Sequence, residues 1–246
     1  KLGLLGTALE AQRRQIINTN GEGFKKVYVV PVTLNYGFVL EAPELIDEHL
    51  RNVGKERYFV PSDKYSSSYK ILKFLYRFIT ADADFTIAFG RCMDIFGNPV
   101  DYNGNSLDQN GNVIDIRDYF KSKGELKYDT QRDAVYTKML SEGIVKAFKR
   151  NNVALPEHVI AYAAFKLFQQ KHHTSDLYSV LRMPEEFREL SKDELREAVR
   201  KVVKELTKLE HKEEIRVDQI VKAEDTDEIN DYAVKKLGVY HAKRPL

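Results

Sequence analysis

Between Phe96 and Phe120 the chain reads FGNPVDYNGNSLDQNGNVIDIRDYF, and the groups GNPVD, GNSLD and GNVID recur at a spacing of seven residues. Such a run is either an Asx-rich metal loop or a set of tight turns. An EF-hand loop needs oxygen ligands at alternating positions, a glycine at the sixth and a bidentate glutamate at the twelfth. With Asp101 first, those two positions hold Ser106 and Asn112; with Asp108 first, they hold Val113 and Tyr119. Neither register works, and the nonapeptide calcium repeat has another period and paired glycines. Asn103-Gly104 and Asn110-Gly111 are instead expected to form type I′ turns, in which both central residues take positive φ.

Before this stretch the pattern alternates. Residues 2–17, LGLLGTALEAQRRQII, place Leu5, Ala8, Leu9 and Gln12 along one side of a helix. The run VYVVPV (Val27 to Val32) is apolar and β-branched enough for a strand buried on both faces, as in a parallel sheet. Pro31 cannot donate a ladder hydrogen bond, so the strand ends or bends there, where α/β proteins place ligands. A short helix over 43–50, an amphipathic helix over 67–79 with Ile71, Leu72, Leu75, Phe78 and Ile79 on one face, and a strand over 83–90 come next. This alternation predicts an α/β arrangement over residues 1–125.

Beyond Asp129 the segments TQRDAVYTKMLSEGIVKAFKRN, LPEHVIAYAAFKLFQQKH and SKDELREAVRKVVKELTKLEH read as helices, and EEIRV as a closing strand. The third helix opens on a capping box of Ser191 and Glu194, and carries Leu195, Val199, Val202, Leu206 and Leu209 at steps of three and four. Residues 126–246 are therefore expected to form a mainly helical second domain, and 246 residues suffice for two modest ones.

Lysine plus arginine number 39 against 37 acidic residues, so no overall field marks a nucleic-acid partner. A single cysteine, Cys92, excludes an internal disulfide and a thiolate-only zinc site and fits a reducing compartment. No apolar run approaches the ~20 residues of a membrane-spanning helix. The segment from Lys64 to Phe78 interleaves aromatic and basic residues, which suits either a bilayer surface or packing on a sheet. None of the six histidines is followed five positions later by aspartate. In HHTSD (His172 to Asp176) the spacing is wrong for such a pair, and these read as surface polar residues.

The run from Phe89 to Phe120, followed by YDTQRDAVYT (Tyr128 to Thr137), resembles the segment after the catalytic core of bacterial glycerol-3-phosphate and 1-acylglycerol-3-phosphate acyltransferases. Upstream, VVPVTLNYGFVLE (Val29 to Glu41) resembles the fourth conserved block of that superfamily, and GVYHAKRPL (Gly238 to Leu246) a segment of its larger members. The resemblance implies an α/β fold made of the second half of an acyltransferase-type domain, followed by the helical domain. It implies transfer of an acyl group from acyl-CoA or acyl carrier protein to glycerol 3-phosphate or its 1-acyl derivative, in phospholipid biosynthesis. In the family a histidine separated by four residues from an aspartate is the general base, and a glutamate-glycine-arginine-serine block holds the acceptor phosphate.

Neither block occurs here, and the opening KLGLLG resembles the residues just downstream of the family's phosphate block, so the chain is expected to be a slice that is inactive alone. No catalytic residue, metal ligand or cofactor is expected within it. The resemblance assigns substrate contacts to Pro31, Val32, Asn35 and Tyr36 and matches Gly90 to the family's strand-end glycine, after which Arg91 is expected either to meet a phosphate or to stand as a solvated or ion-paired charge. It also implies a peripheral place on the cytoplasmic face of the cell membrane and no nucleic-acid partner. The competing reading is a non-catalytic binding or regulatory module whose C-terminal helices and closing strand form a winged-helix-like unit.

Overall fold

The structure, a computed structural model, describes residues 3–37, 85–173 and 189–240, with 45, 48, 49, 51, 52, 179, 184 and 187 besides. The helix expected over 67–79, the basic aromatic segment from 64 to 78, most of the helix expected over 43–50, and Thr174, Ser175 and Asp176 of HHTSD lie outside them. The chain divides into two compact units: Lys1–Thr33 with Ile87–Asn152, and Leu34–Thr86 with Val153–Leu246. Helices are joined with short strand pairs, so the fold is mixed α and β.

In the first unit, helix α1 (Gly3–Asn18) buries Leu9, Gln12, Arg13 and Ile16 and packs against α2 (Thr130–Asn151). The side expected from the apolar spacing is the buried one, extended by Arg13 and Ile16, and its two polar residues are held from within, although Arg13 Nε has no hydrogen-bond partner. Gln12 Oε1 accepts from Val27 N at 2.6 Å, and its Nε2 donates to Lys25 O at 3.2 Å. Arg13 pairs with Asp133 and with Glu10 and lies over the rings of Phe120 and Tyr128. The core is Leu9, Ile16, Ile95, Phe96, Ile116 and Phe120, closed by Tyr119 and Tyr136 around Phe96.

The run expected as one strand buried within a parallel sheet is broken in two. Strand β1 (Tyr28–Val29) pairs antiparallel with β4 (Met93–Asp94), whereas β2 (Val32–Tyr36) pairs with β3 (Phe85–Phe89). Pro31 stands at the break, because it has no N–H for a continuous ladder. Alternate residues Val32, Leu34 and Tyr36 of β2 are exposed, so the β-branched run marks a half-buried ribbon. Val30 and Val32 are 49 % and 40 % exposed, which overturns the expectation of burial on both faces.

The seven-residue repeat forms consecutive tight turns, but of another type than expected. Gly97, Gly104 and Gly111 have φ of 86°, 80° and 85°, and neither Asn103 nor Asn110 has positive φ. The unit begins at the aspartate before each group: Asp94, Asp101 and Asp108. In each copy the glycine N–H donates to the aspartate C=O at 3.1 Å, and the aspartate N–H to the C=O of the asparagine four residues on, at 2.9 to 3.0 Å. This is a type I turn followed by a left-handed glycine, the usual three-residue hairpin loop. The aspartate side chain selects it: Oδ1 accepts from the N–H groups two and four residues on, and Oδ2 from the asparagine Nδ2. The carboxylate oxygens are therefore spent on the turns. Pairings Met93 with Pro99, Val100 with Ser106, and Leu107 with Val113 stack the hairpins, the last two joined through β5 (Ser106–Leu107) and β6 (Val113–Ile114). At the next step, Asp115 caps a 3-10 turn, Ile116–Phe120. The two-residue loop with positive φ at both positions is Lys123-Gly124, between β7 (Lys121–Ser122) and β8 (Glu125–Leu126).

The second unit is built on α3 (Pro156–His172), α4 (Lys192–His211), the short α5 (Gln219–Lys222) and α6 (Thr226–Tyr240). Val159, Ile160, Ala163, Val199, Val203, Val221, Ile229 and Ala233 form its core. Val199 and Val203 lead the α4 stripe, with Leu195, Val202 and Leu206 partly buried beside them. Glu194 accepts from the Ser191 N–H at 3.2 Å, as the capping box predicts. The closing strand β10 (Arg216–Val217) pairs in parallel with β9 (Val153–Ala154), the one parallel pair among the described residues. A wing is an antiparallel hairpin, so this parallel pair does not supply one.

Candidate functional site

Strand β2 presents its residues alternately to the interior and to solvent, and this alternation sorts the residues expected to meet substrate. In the first unit, Pro31 is buried and its carbonyl accepts from Gly90 N at 2.7 Å, while the Val32 side chain is exposed. Thr33 Oγ1 donates to Asn151 O at 2.9 Å, which ties the strand to the end of α2. Arg91 comes directly after Gly90 and is exposed. In the second unit, Asn35 is 4 % exposed and Tyr36 is 46 % exposed, its ring 6.4 Å from that of Phe85.

Asn35, Tyr36 and Gly37 lie against the strand and first turn that open α3. Asn35 Oδ1 accepts from Val153 N at 3.1 Å, and its Nδ2 is buried without a hydrogen-bond partner. A buried amide donor left unpaired costs roughly 1–3 kcal/mol, so such a group is held by its surroundings or kept for a ligand. Tyr36 C=O accepts from His158 Nε2 at 2.7 Å, and Leu155 N–H donates to His158 Nδ1 at 3.4 Å. The carbonyl only accepts and the N–H only donates, so a neutral imidazole here takes the Nε2–H tautomer with both nitrogens engaged. His158 is therefore a brace between β2 and α3. Gly37 leaves room for the Glu157 carboxyl: a Cβ there would stand 2.5 Å from Oε1.

Glu157 is 6 % exposed, and burial pushes its carboxyl above the ordinary glutamate range, opposed in part by its own backbone N–H and by His158 and Lys236; Asp218 adds to the rise. The folded chain thus holds this proton more tightly than the unfolded chain does. Its contribution to stability is full below the unfolded pKa and is lost as pH rises through the raised folded value. Glu157→Gln is expected to raise the neutral-pH melting temperature, by a stability gain on the order of 1 kcal/mol. It should also flatten the pH dependence above the ordinary glutamate range. Calorimetric melts across that window decide it: a lower melting temperature at neutral pH would mean that the charged form is favourably paired.

No local pattern in the sequence singles out Glu157, His158 or Gly37. Pro156 marks the helix start, but an acidic residue in a first turn is ordinarily solvated, and only the proximity of Gly37 reveals the burial. Of the other histidines, His172 ends α3 beside Phe168 and Phe187, and His173 sits in the left-handed region at φ 48°. Among the described residues no group of three or more His, Cys, Asp or Glu could hold a metal ion. No described helix is long and apolar enough to cross a membrane. The chain matches no protein-family model, no curated protein and no solved structure.

Proposed function

We propose that this chain is the donor-binding part of a glycerolipid acyltransferase, which moves an acyl group from acyl-CoA or acyl carrier protein to glycerol 3-phosphate or its 1-acyl derivative. The general base is supplied by residues outside this sequence, in which no histidine has an aspartate five positions later. One observation carries the reading beyond resemblance: in β2, within the segment resembling the fourth block, the buried Asn35 amide keeps a donor without a hydrogen-bond partner. A binding site needs a few such placed polar groups in apolar surroundings, and Tyr36 offers its ring on the opposite, exposed side of the strand. His158 adds no base, because its two nitrogens are held by backbone groups. On this reading the protein works at the cytoplasmic membrane face, where its lipid product resides.

The test is binding and turnover measured on the same purified chain. A non-hydrolysable acyl-CoA analogue is expected to bind saturably, with Asn35→Ala and Tyr36→Ala each weakening it about tenfold, or ~1.4 kcal/mol. Palmitoyl-CoA with glycerol 3-phosphate should release no CoA above background. Absence of saturable binding would sink the proposal, and turnover by the chain would place the base within it. The second reading, a non-catalytic binding or regulatory module with a winged-helix-like C-terminal unit, has less support: β10 pairs in parallel with β9, and this pair does not form the antiparallel hairpin of a wing. A duplex-DNA shift with steep salt dependence would favour that reading.

A further inference from the structure

We propose that a cleft between α4 and the start of α6 is a binding site for a small organic phosphate carrying at least two anionic groups. The cleft has a volume of about 570 Å³, within the range of small-ligand sites. Along one wall stand Arg200, Lys204 and Lys208. Their steps of four residues put them on one side of the helix, each about 6 Å further along its axis.

Charge and chemistry define the ligand. Arg200 pairs with Glu197 and Lys208 with Glu205, but all four side chains are at least half exposed. Exposed pairs of this kind contribute little, so a doubly charged anion displaces them at small cost. Lys204 has no ion-pair partner among the described residues, although it lies at the centre of the row. Val203, 5 % exposed, forms an apolar floor, and the hydroxyls of Thr207 and Thr226 line the remainder. One carboxylate, Glu224, opposes the cations and accepts from Thr207 Oγ1 at 3.3 Å. Three cations against one carboxylate line the cleft, and once Glu197 and Glu205 are displaced they leave a surplus that a monoanion does not neutralise, whereas two linked phosphates do. None of these residues lies in the segments that resemble the acyltransferases, so this site is independent of the proposed function.

Inorganic pyrophosphate is the probe, titrated calorimetrically into the 246-residue chain at low salt. Saturable binding with a Kd of about 0.1–1 mM is expected. Lys204→Glu should weaken it about tenfold or more, and Glu224→Gln should tighten it about threefold by removing the opposing charge. Lys149→Glu, an exposed lysine of the first unit, should leave it unchanged. The opposite signs at positions 204 and 224 separate a built site from loss of folding. No saturable heat up to about 10 mM, or an equal loss in the Lys149 and Lys204 variants, would overturn the proposal.

Discussion

Asp94→Ala is expected to destabilise the first unit by about 3–4 kcal/mol, equivalent to a fall of about 12–30 °C in its melting temperature. The side chain is 1 % exposed, and its two oxygens accept from Phe96 N at 2.8 Å, Asn98 N at 3.0 Å and Asn98 Nδ2 at 3.0 Å. Alanine leaves the buried Phe96 N–H without an acceptor and the half-buried Asn98 with only the Tyr119 hydroxyl, which its Nδ2 reaches at 3.3 Å. The turn they hold delivers Ile95 and Phe96 into the core, and a Cβ on Gly97 would stand 3.7 Å from the backbone of Leu140. Asp108→Ala removes the same three contacts from an exposed turn and should cost far less, since water replaces the lost acceptor. Asp94→Asn retains one acceptor oxygen and should fall between. Urea melts of the three variants rank them; equal losses at Asp94 and Asp108 would mean that the turn geometry, not burial, sets the cost.

Gly90→Ala is expected to cost about 2–3 kcal/mol, and to loosen the strand end that positions Pro31. The backbone of Gly90 is not in the left-handed region, so the penalty is one of space. A Cβ at this position would stand 2.2 Å from Asn151 Nδ2 and 3.2 Å from the Pro31 carbonyl that Gly90 N–H reaches at 2.7 Å. Asn151 is 3 % exposed and ends α2, which leaves its side chain little freedom to retreat. Gly6→Ala provides the opposite sign within the same unit. Nothing lies within 4 Å of a Cβ there, and alanine in a helix interior should stabilise by about 0.5–1 kcal/mol. Thermal melts of both variants test the contrast. A neutral Gly90→Ala would show that Asn151 has room to turn away.

Local signals carried as far as the local physics did. The amphipathic spacing of α1, the capping box at Ser191 and Glu194, and Pro156 at the start of α3 are each decided by neighbours within one or two turns, and each is found where the pattern puts it. The glycines of the repeat mark its turns for the same reason. The turn type escaped because it is chosen by the aspartate that precedes each group: Asn-Gly alone favours a type I′ turn, and three hydrogen bonds from Asp94, Asp101 or Asp108 outweigh that preference. Val27 to Val32 misled because β-branched residues report a pleated surface, whether one face is covered or two.

The candidate site divides in the same way. The alternation along β2 foretells that Asn35 and Tyr36 face opposite sides. It does not foretell that Asn35 Nδ2 lacks a partner, or that Glu157 is buried against Gly37. Those facts depend on contacts between residues more than a hundred positions apart. Helices α1 to α4, the capping box that opens α4, the places where the repeat turns and the lack of a histidine-aspartate pair at the required spacing are legible along the chain, whereas α5 and α6 carry no signal that foretold them. Which strands pair, which carboxylates are spent on backbone N–H groups, and which charges of α4 enclose a cleft emerge only on folding. Propensity and periodicity act within a few residues, whereas desolvation and unsatisfied polar groups exist only once distant segments have closed over them.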